Sequence, residues 1–302
     1  MKTGLAALLH PRSTGDFLAS YEQQAPFVVH GNEAHTGELT SLPMLASLEA
    51  LLGSWPRAVE AHLPDRRDEA SAIETDTTQA RRLFDEGMGL LFGEANLVSP
   101  VLGRWLEQVR RDLGLSALTY GRCLIYATPD GKGTAAHFDH NHNFVLQVRG
   151  TKLWTLAENH DVAHPMCRHT MGLPEDPELT TYMDRPMATT MPEPTQTFEL
   201  GPGSLLFVPR GYWHATAAKG DALALNFTFT APTWLDLFSA ALRSRLVLSP
   251  HWRETADGVA DPARRRLASQ TLDLLLAGLV DDLPHWQAAD ILDATESDPV
   301  DP

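Results

Sequence analysis

His137-Phe138-Asp139-His140-Asn141-His142-Asn143-Phe144-Val145-Leu146-Gln147-Val148-Arg149-Gly150-Thr151-Lys152-Leu153-Trp154 is the stretch that decides the fold. Two apolar runs, Phe144–Val148 and Lys152–Leu156, are parted by Gly150, which reads as strand, turn, strand. Working outward, Arg122–Ala127, His137 with its neighbours, Thr197–Leu200, Ser204–Val208, His214–Ala217 and Ala222–Thr230 read as further strands. Turn signals separate them: Pro129-Asp130-Gly131, Gly201-Pro202-Gly203, Gly211 and Lys219-Gly220-Asp221. About eight short strands with Gly/Pro turns predict a double-sheet barrel or jelly roll.

The same stretch carries candidate chemistry. His137 and Asp139 are two residues apart on a strand, so both side chains face one side. A second imidazole, His214, closes the run Phe207-Val208-Pro209-Arg210-Gly211-Tyr212-Trp213-His214 on a later strand. Two imidazoles and one carboxylate make a three-ligand face that suits ferrous iron and leaves half an octahedron open. Lys152 stands in an apolar strand of a chain whose basic residues are nearly all arginine. An ammonium there needs an anion, because an unpaired buried charge is costly. On the strand from Ala222, one face is Ala222, Ala224, Asn226 and Thr228, small enough to leave room for a ligand. The other, Leu223, Leu225, Phe227 and Phe229, is bulky enough to fill a core. Tyr120, Arg122 and Tyr126 are further candidates to line the pocket.

Outside the strand region, Phe27–His30 reads as a strand, and Ser41-Leu42-Pro43 as the start of a helix running through Leu45 to Leu52. Residues 56–78 are polar and charged, a surface excursion or part of the site rim. Thr77 to Phe92 is expected to be helical. Ser99 and Pro100 suit N-cap and N1 of a helix whose apolar stripe is Val101, Leu102, Trp105, Leu106, Val109 and Leu113. The long break from Glu158 to Glu193 reads as a mobile loop over the substrate entrance. It holds His160, His164, Cys167 and His169, spaced as zinc ligands can be but without the paired geometry of zinc fingers. His140 and His142 are placed at the mouth of the pocket or in solvent. After Pro232 the pattern turns helical. Thr233 caps a helix to about Leu248, Asp261-Pro262 starts another, and Trp286 to Leu292 forms a third.

Composition narrows the function classes. The chain has 302 residues, enough for one large domain with a smaller appendage and a core that needs no disulfides. Its two cysteines, Cys123 and Cys167, fit a reducing compartment, and the expected location is the cytoplasm. The run Leu5–Leu9 is too short for a secretion signal, and no stretch reaches the length of a membrane span. A net charge of -15 repels phosphate backbones, so neither nucleic acid nor membrane is expected as a partner.

On these residues the segment from about 120 to 230 resembles the JmjC/cupin-type Fe(II)/2-oxoglutarate-dependent oxygenases. It is similar to the asparaginyl hydroxylase of hypoxia-inducible factor and to the ribosomal oxygenases. The resemblance implies a mainly β fold with helices: a double-stranded β-helix (jelly roll/cupin) core, N-terminal α/β flanking elements and a C-terminal helical segment. It divides the chain into an oxygenase domain, 1–232, and a helical dimerisation segment, 233–302. It assigns His137, Asp139 and His214 to iron, and Lys152 with Thr134 to the distal carboxylate of 2-oxoglutarate. Asn143 and Asn226 become amides near iron and cosubstrate. The implied reaction consumes O2 and hydroxylates a C–H bond, on a ribosomal protein or the precursor of a peptide natural product, in a homodimer. Lysine demethylation, hydroxylation of a free amino acid or small metabolite, and a non-catalytic metal-binding cupin module are the alternatives.

Overall fold

The structure, a computed structural model, describes residues 3–62 and 72–296. Among these, eleven strands join in one hydrogen-bonded system: β1 (Phe27–Val29), β2 (Val59–His62), β3 (Ala72–Thr75), β4 (Gly89–Phe92), β5 (Tyr120–Thr128), β6 (His137–Phe138), β7 (His142–Ala157), β8 (His169–Thr170), β9 (Gln196–Leu200), β10 (Leu205–Val208) and β11 (Trp213–Thr230). Two long strands, β7 and β11, pair with each other and belong to two sheets at once. The first half of β7 pairs with β10, through Asn143–Leu146, and its second half pairs with β9, through Lys152–Leu156. The second half of β11 pairs with β5, while its start meets β6 at His214 opposite His137. One sheet therefore runs β1-β10-β7-β11-β5-β4-β2-β3, and the other gathers β9, β7, β11, β6 and β8. This is the jelly-roll architecture expected of the strand pattern.

Where the sequence signals two turns, the chain makes two bends. Gly150 and Gly220 both have positive φ, yet the β7–β11 ladder carries on past them with a register shift between Lys219 and Leu223. A side chain at Gly150 would put its Cβ 2.1 Å from the Asp221 carbonyl oxygen, so the two bends nest only because that position is glycine. The four short strands expected there are thus two long ones.

Three helical readings are also corrected. Thr77–Phe92 is a helix only to Asp85; Gly87 turns the chain and Leu90–Phe92 enter the sheet as β4, where Leu90 and Phe92 are buried. The run from Pro43 breaks into a 3-10 turn, Pro43–Leu45, and a helix, Leu48–Ser54, capped by Ser47. In the helix Pro100–Asp112, Ser99 occupies the N-cap but its hydroxyl makes no capping bond.

The core lies between the flanking helices and the larger sheet. Phe144, Phe207, Phe227 and Phe229 pack with Phe17, and Trp105 of the helix Pro100–Asp112 joins the same cluster. Each fully buried side chain of this size contributes roughly 1.5–3 kcal/mol. The segment 158–195 is a packed insertion, contrary to the loop reading. Val162, Leu179 and Met187 bury themselves against Phe138, Ala157 and Trp213. Residues 56–58 and 76–78 keep a surface character, but Val59–His62 enter the sheet as β2 with Val59, Ala61 and His62 buried, against the surface reading; 63–71 lie outside the described residues.

The chain divides into two compact units, Met1–Leu115 with Tyr120–Thr230, and Ser116–Thr119 with Ala231–Pro302. The second is helical: Trp234–Leu246, Arg265–Asp282 and Ala288–Glu296. Thr233 and Asp236 form a reciprocal capping box at its start.

Candidate metal centre and cosubstrate pocket

Antiparallel register brings the two histidines together. His137 on β6 and His214 on β11 are direct cross-strand neighbours, with ring centroids 4.1 Å apart. Asp139 follows β6 immediately. Its Oδ1 lies 3.9 Å from His137 Nε2 and its Oδ2 3.6 Å from His214 Nε2. One donor atom from each of the three residues falls within 4.8 Å of the other two. One divalent ion with ligands ~2 Å away spans such a set.

The donor atoms are oriented by the backbone. His137 Nδ1 is 2.7 Å from the Ala135 carbonyl oxygen, and His214 Nδ1 is 2.9 Å from that of Tyr212. A carbonyl only accepts, so each Nδ1 carries the proton and each Nε2 presents its lone pair toward Asp139. Trp154 stacks on His214, centroids 5.7 Å apart, and holds the ring from behind.

The amides are ordered by the carboxylate. Asn143 Nδ2 donates to Asp139 Oδ2 at 2.8 Å. That fixes Asn143 Oδ1 as an acceptor, and it receives bonds from Asn141 Nδ2 (2.9 Å) and Asn226 Nδ2 (3.2 Å). Asn226 Oδ1 is then left buried with no partner among the described residues. An unmatched acceptor of that kind is costly in a closed core and is expected beside a ligand site.

His137, Asp139, Asn143, Lys152, Thr134 and Asn226 all line one small cavity. Its walls are completed by Tyr126, Val145, Trp154, Thr216 and Ala224, with His214 at the metal end. Every residue singled out in the sequence as ligand or anchor is in that cavity. Lys152 is 4% exposed, on the second half of β7, with Nζ 5.8 Å from the ring centres of both Tyr126 and Trp154. The donor set fits ferrous iron, and a buried ammonium with hydroxyls nearby fits a carboxylate.

The other candidates separate. Tyr126 is in the cavity. Tyr120 is exposed and donates toward Glu94, and Arg122 stacks over it. His142 accepts the Arg210 backbone N–H and packs between Tyr21 and Phe207. Burial, with Arg210 nearby, depresses its pKa to about 4. Burial also lowers the pKa of His140. His160, His164, Cys167 and His169 do not converge: among the described residues the only candidate metal cluster is the triad. His169 packs on Phe138 and Trp213, and Cys167 lies 3.8 Å from the Tyr182 hydroxyl.

Two site residues escape the sequence reading. Thr216 Oγ1 accepts the Thr134 backbone N–H at 3.0 Å and shares a hydrogen bond with Thr134 Oγ1 at 2.9 Å. It sits two residues beyond His214 and so on the same face of β11, a signal that period-two reasoning could have used. Arg168, from the inserted segment, places Nε 3.3 Å from Asp139 Oδ1. No local pattern marks it.

The JmjC domain family matches residues 104–237. Uncharacterized protein YxbC of Bacillus subtilis is 31% identical over 261 residues, covering 83% of this chain and 78% of that one. The chain belongs to the JmjC-domain family. Ribosomal oxygenase 1 of Rattus norvegicus is 26% identical over 163 residues, 53% of this chain but only 25% of its own length. The JmjC fold is shared with the Escherichia coli ribosomal oxygenase YcfD, solved with cobalt and 2-oxoglutarate. The TM-score is 0.53 at 18% identity, over 89% of this chain and 68% of YcfD.

Proposed function

We propose that this chain is an Fe(II)- and 2-oxoglutarate-dependent hydroxylase of a protein or peptide side chain. One observation carries the reading: the His137/Asp139/His214 face and the buried Lys152 open into the same cavity. Bound iron and 2-oxoglutarate supply oxidative decarboxylation of the cosubstrate coupled to insertion of one oxygen atom into a C–H bond. His137, Asp139 and His214 would hold the metal through their imidazole nitrogens and a carboxylate oxygen. Asn143 holds Asp139 in position, and the Ala135 and Tyr212 carbonyls keep both imidazoles in the ligating tautomer. Lys152, with the Thr134 hydroxyl, grips the far carboxylate. Val145, Trp154 and Ala224 keep the cavity apolar between the two ends.

A protein or peptide substrate is supported by the kinship with ribosomal oxygenase 1 and with the Drosophila persimilis protein named bifunctional lysine-specific demethylase and histidyl-hydroxylase NO66. Residues 1–232 form the catalytic domain in this reading and 233–302 a dimerisation segment. Trp234, Leu235 and Phe238 on one helix and Leu267, Leu274 and Val280 on the next are exposed apolar side chains that a second copy would cover. The net charge of -15 disfavours nucleic acid, and two free cysteines fit the cytoplasm. No helix among the described residues is long and apolar enough to cross a membrane.

The test is incubation with Fe(II), 2-oxoglutarate and O2, followed by succinate assay and a screen of candidate peptides for a mass gain of one oxygen. Succinate formation that is lost in His137→Ala supports the reading. A metal-loaded chain that neither binds nor consumes 2-oxoglutarate overturns it in favour of a non-catalytic module.

A further inference from the structure

A second, small cavity adjoins the first and shares Tyr126, Thr134 and Lys152 with it. Its remaining wall includes His62 and Lys132, which the proposed chemistry does not use. Three observations mark it out. The chain has a net charge of -15 and only four lysines, yet two of the four line this cavity, and no Asp or Glu does among the described residues. His62 is 8% exposed and its Nε2 is buried without a hydrogen-bond partner among the described residues. A buried ring nitrogen in that state is satisfied by whatever polar group enters the space beside it.

The third observation is how Lys132 is delivered. A Cβ on Gly133 would lie 1.8 Å from the Thr216 carbonyl oxygen, so the segment Lys132-Gly133-Thr134 lies flat on β11. The Ala218 N–H donates to the Lys132 carbonyl at 2.7 Å, and the Thr216 N–H to that of Thr134 at 3.2 Å. The same three residues thus present Thr134 to both cavities and Lys132 to the outer one. The Lys132 stem crosses Gly87, its Cε 3.0 Å from where a Cβ there would stand.

We propose that this outer cavity is a second anion site, selective for small dicarboxylates, through which the cosubstrate reaches Lys152 and the product leaves. The identity of the ligand rests on the cosubstrate reading above; the anion site itself rests on His62 and Lys132. Because the two cavities meet at Tyr126, Thr134 and Lys152, a dicarboxylate held in the outer one would lie beside the lysine assigned to the cosubstrate. Cationic groups along such a path raise the association rate, and salt screens them.

The experiment is stopped-flow association of 2-oxoglutarate with the anaerobic Fe(II)-loaded full chain, followed by tryptophan fluorescence. Lys132→Glu is expected to slow association about tenfold and to flatten its salt dependence; Lys132→Gln and His62→Gln are expected to slow it less. Lys219→Glu, which makes the same charge change at an exposed lysine paired with Glu199, is expected to leave the rate near wild type. Equal slowing by Lys132→Glu and Lys219→Glu, or no slowing by either, overturns the proposal. Amine acylation with peptide mapping, easily resolved for four lysines, separates the two readings. If calorimetry detects no 2-oxoglutarate binding but succinate protects Lys132, the anion site stands and the cosubstrate reading falls. Calorimetric binding without protection of Lys132 removes the outer site alone.

Discussion

The strand unit and the C-terminal helical unit solve the problem of apolar surface in opposite ways. In the first, the alternation of β11 sends Leu223, Leu225, Phe227 and Phe229 into a core where each is at most 4% exposed. In the second, the helices Trp234–Leu246 and Arg265–Asp282 bury no residue, and Trp234 and Leu274 stand 78% and 77% exposed. A unit that closes its own core can hold a rigid site. A unit that leaves its apolar stripes open has stability that depends on something else covering them. The comparison places the His137/Asp139/His214 site in the strand unit and leaves association as the role proposed for the helices.

The largest expected effects test the first half of that statement. His137→Ala or Asp139→Ala should abolish tight Fe(II) binding and lower succinate formation by at least about 100-fold, with the melting temperature of the metal-free chain nearly unchanged. Metal titration and a thermal melt on the same sample check both. If activity survives, the site is not in the strand unit. Next, Phe227→Ala should cost about 3–5 kcal/mol in denaturant unfolding, because its cavity opens in a core packed on all sides.

A smaller effect comes from pH. His142 keeps a pKa of about 4 in the folded state, against an ordinary value near 6.5, because burial disfavours its charged form. The unfolded chain takes up the proton first, so this contribution is complete above pH 6.5 and is lost as pH falls from there to about 4. The loss is about 2–3 kcal/mol, and His142→Gln should flatten that limb of the stability curve. The smallest effect on folding falls in the helical unit. Leu274→Asp should change unfolding free energy by less than about 0.5 kcal/mol at high dilution, while weakening self-association seen by sedimentation. A monomeric wild type at micromolar concentration would leave those helices without the assigned role.

Much of the catalytic region is legible in the residues themselves. The triad, Lys152 and the two faces of β11 follow from period-two geometry and residue chemistry, since each needs only the strand to exist. The places where the sequence misleads share one cause. Gly150 and Gly220 read in sequence as breaks between elements, while Gly87 falls inside the helix expected over Thr77–Phe92. At Gly87 the chain does turn, out of a helix and into β4. At Gly150 and Gly220 it bends within a ladder, because the partner strand bends with it. A local pattern cannot distinguish these, as the decisive contact, between Gly150 and Asp221, is seventy-one residues apart in the chain. The inserted segment 158–195 resembles a loop in sequence for the same reason: its apolar residues pack on one another and on β6, β7 and β11, contacts that lie far apart along the chain.

The sequence alone determined the donor types, their strand spacing and the rarity of lysine, because these are properties of composition and of a two-residue repeat. Only the tertiary structure decided that His214 lies opposite His137, that Asn226 is oriented through Asn143 by Asp139, and that Arg168 reaches the same carboxylate. It alone gathered Lys132, His62 and Lys152 around one cavity. Each of these depends on register between strands or on contact across the fold, which long-range packing sets and no short window of residues encodes.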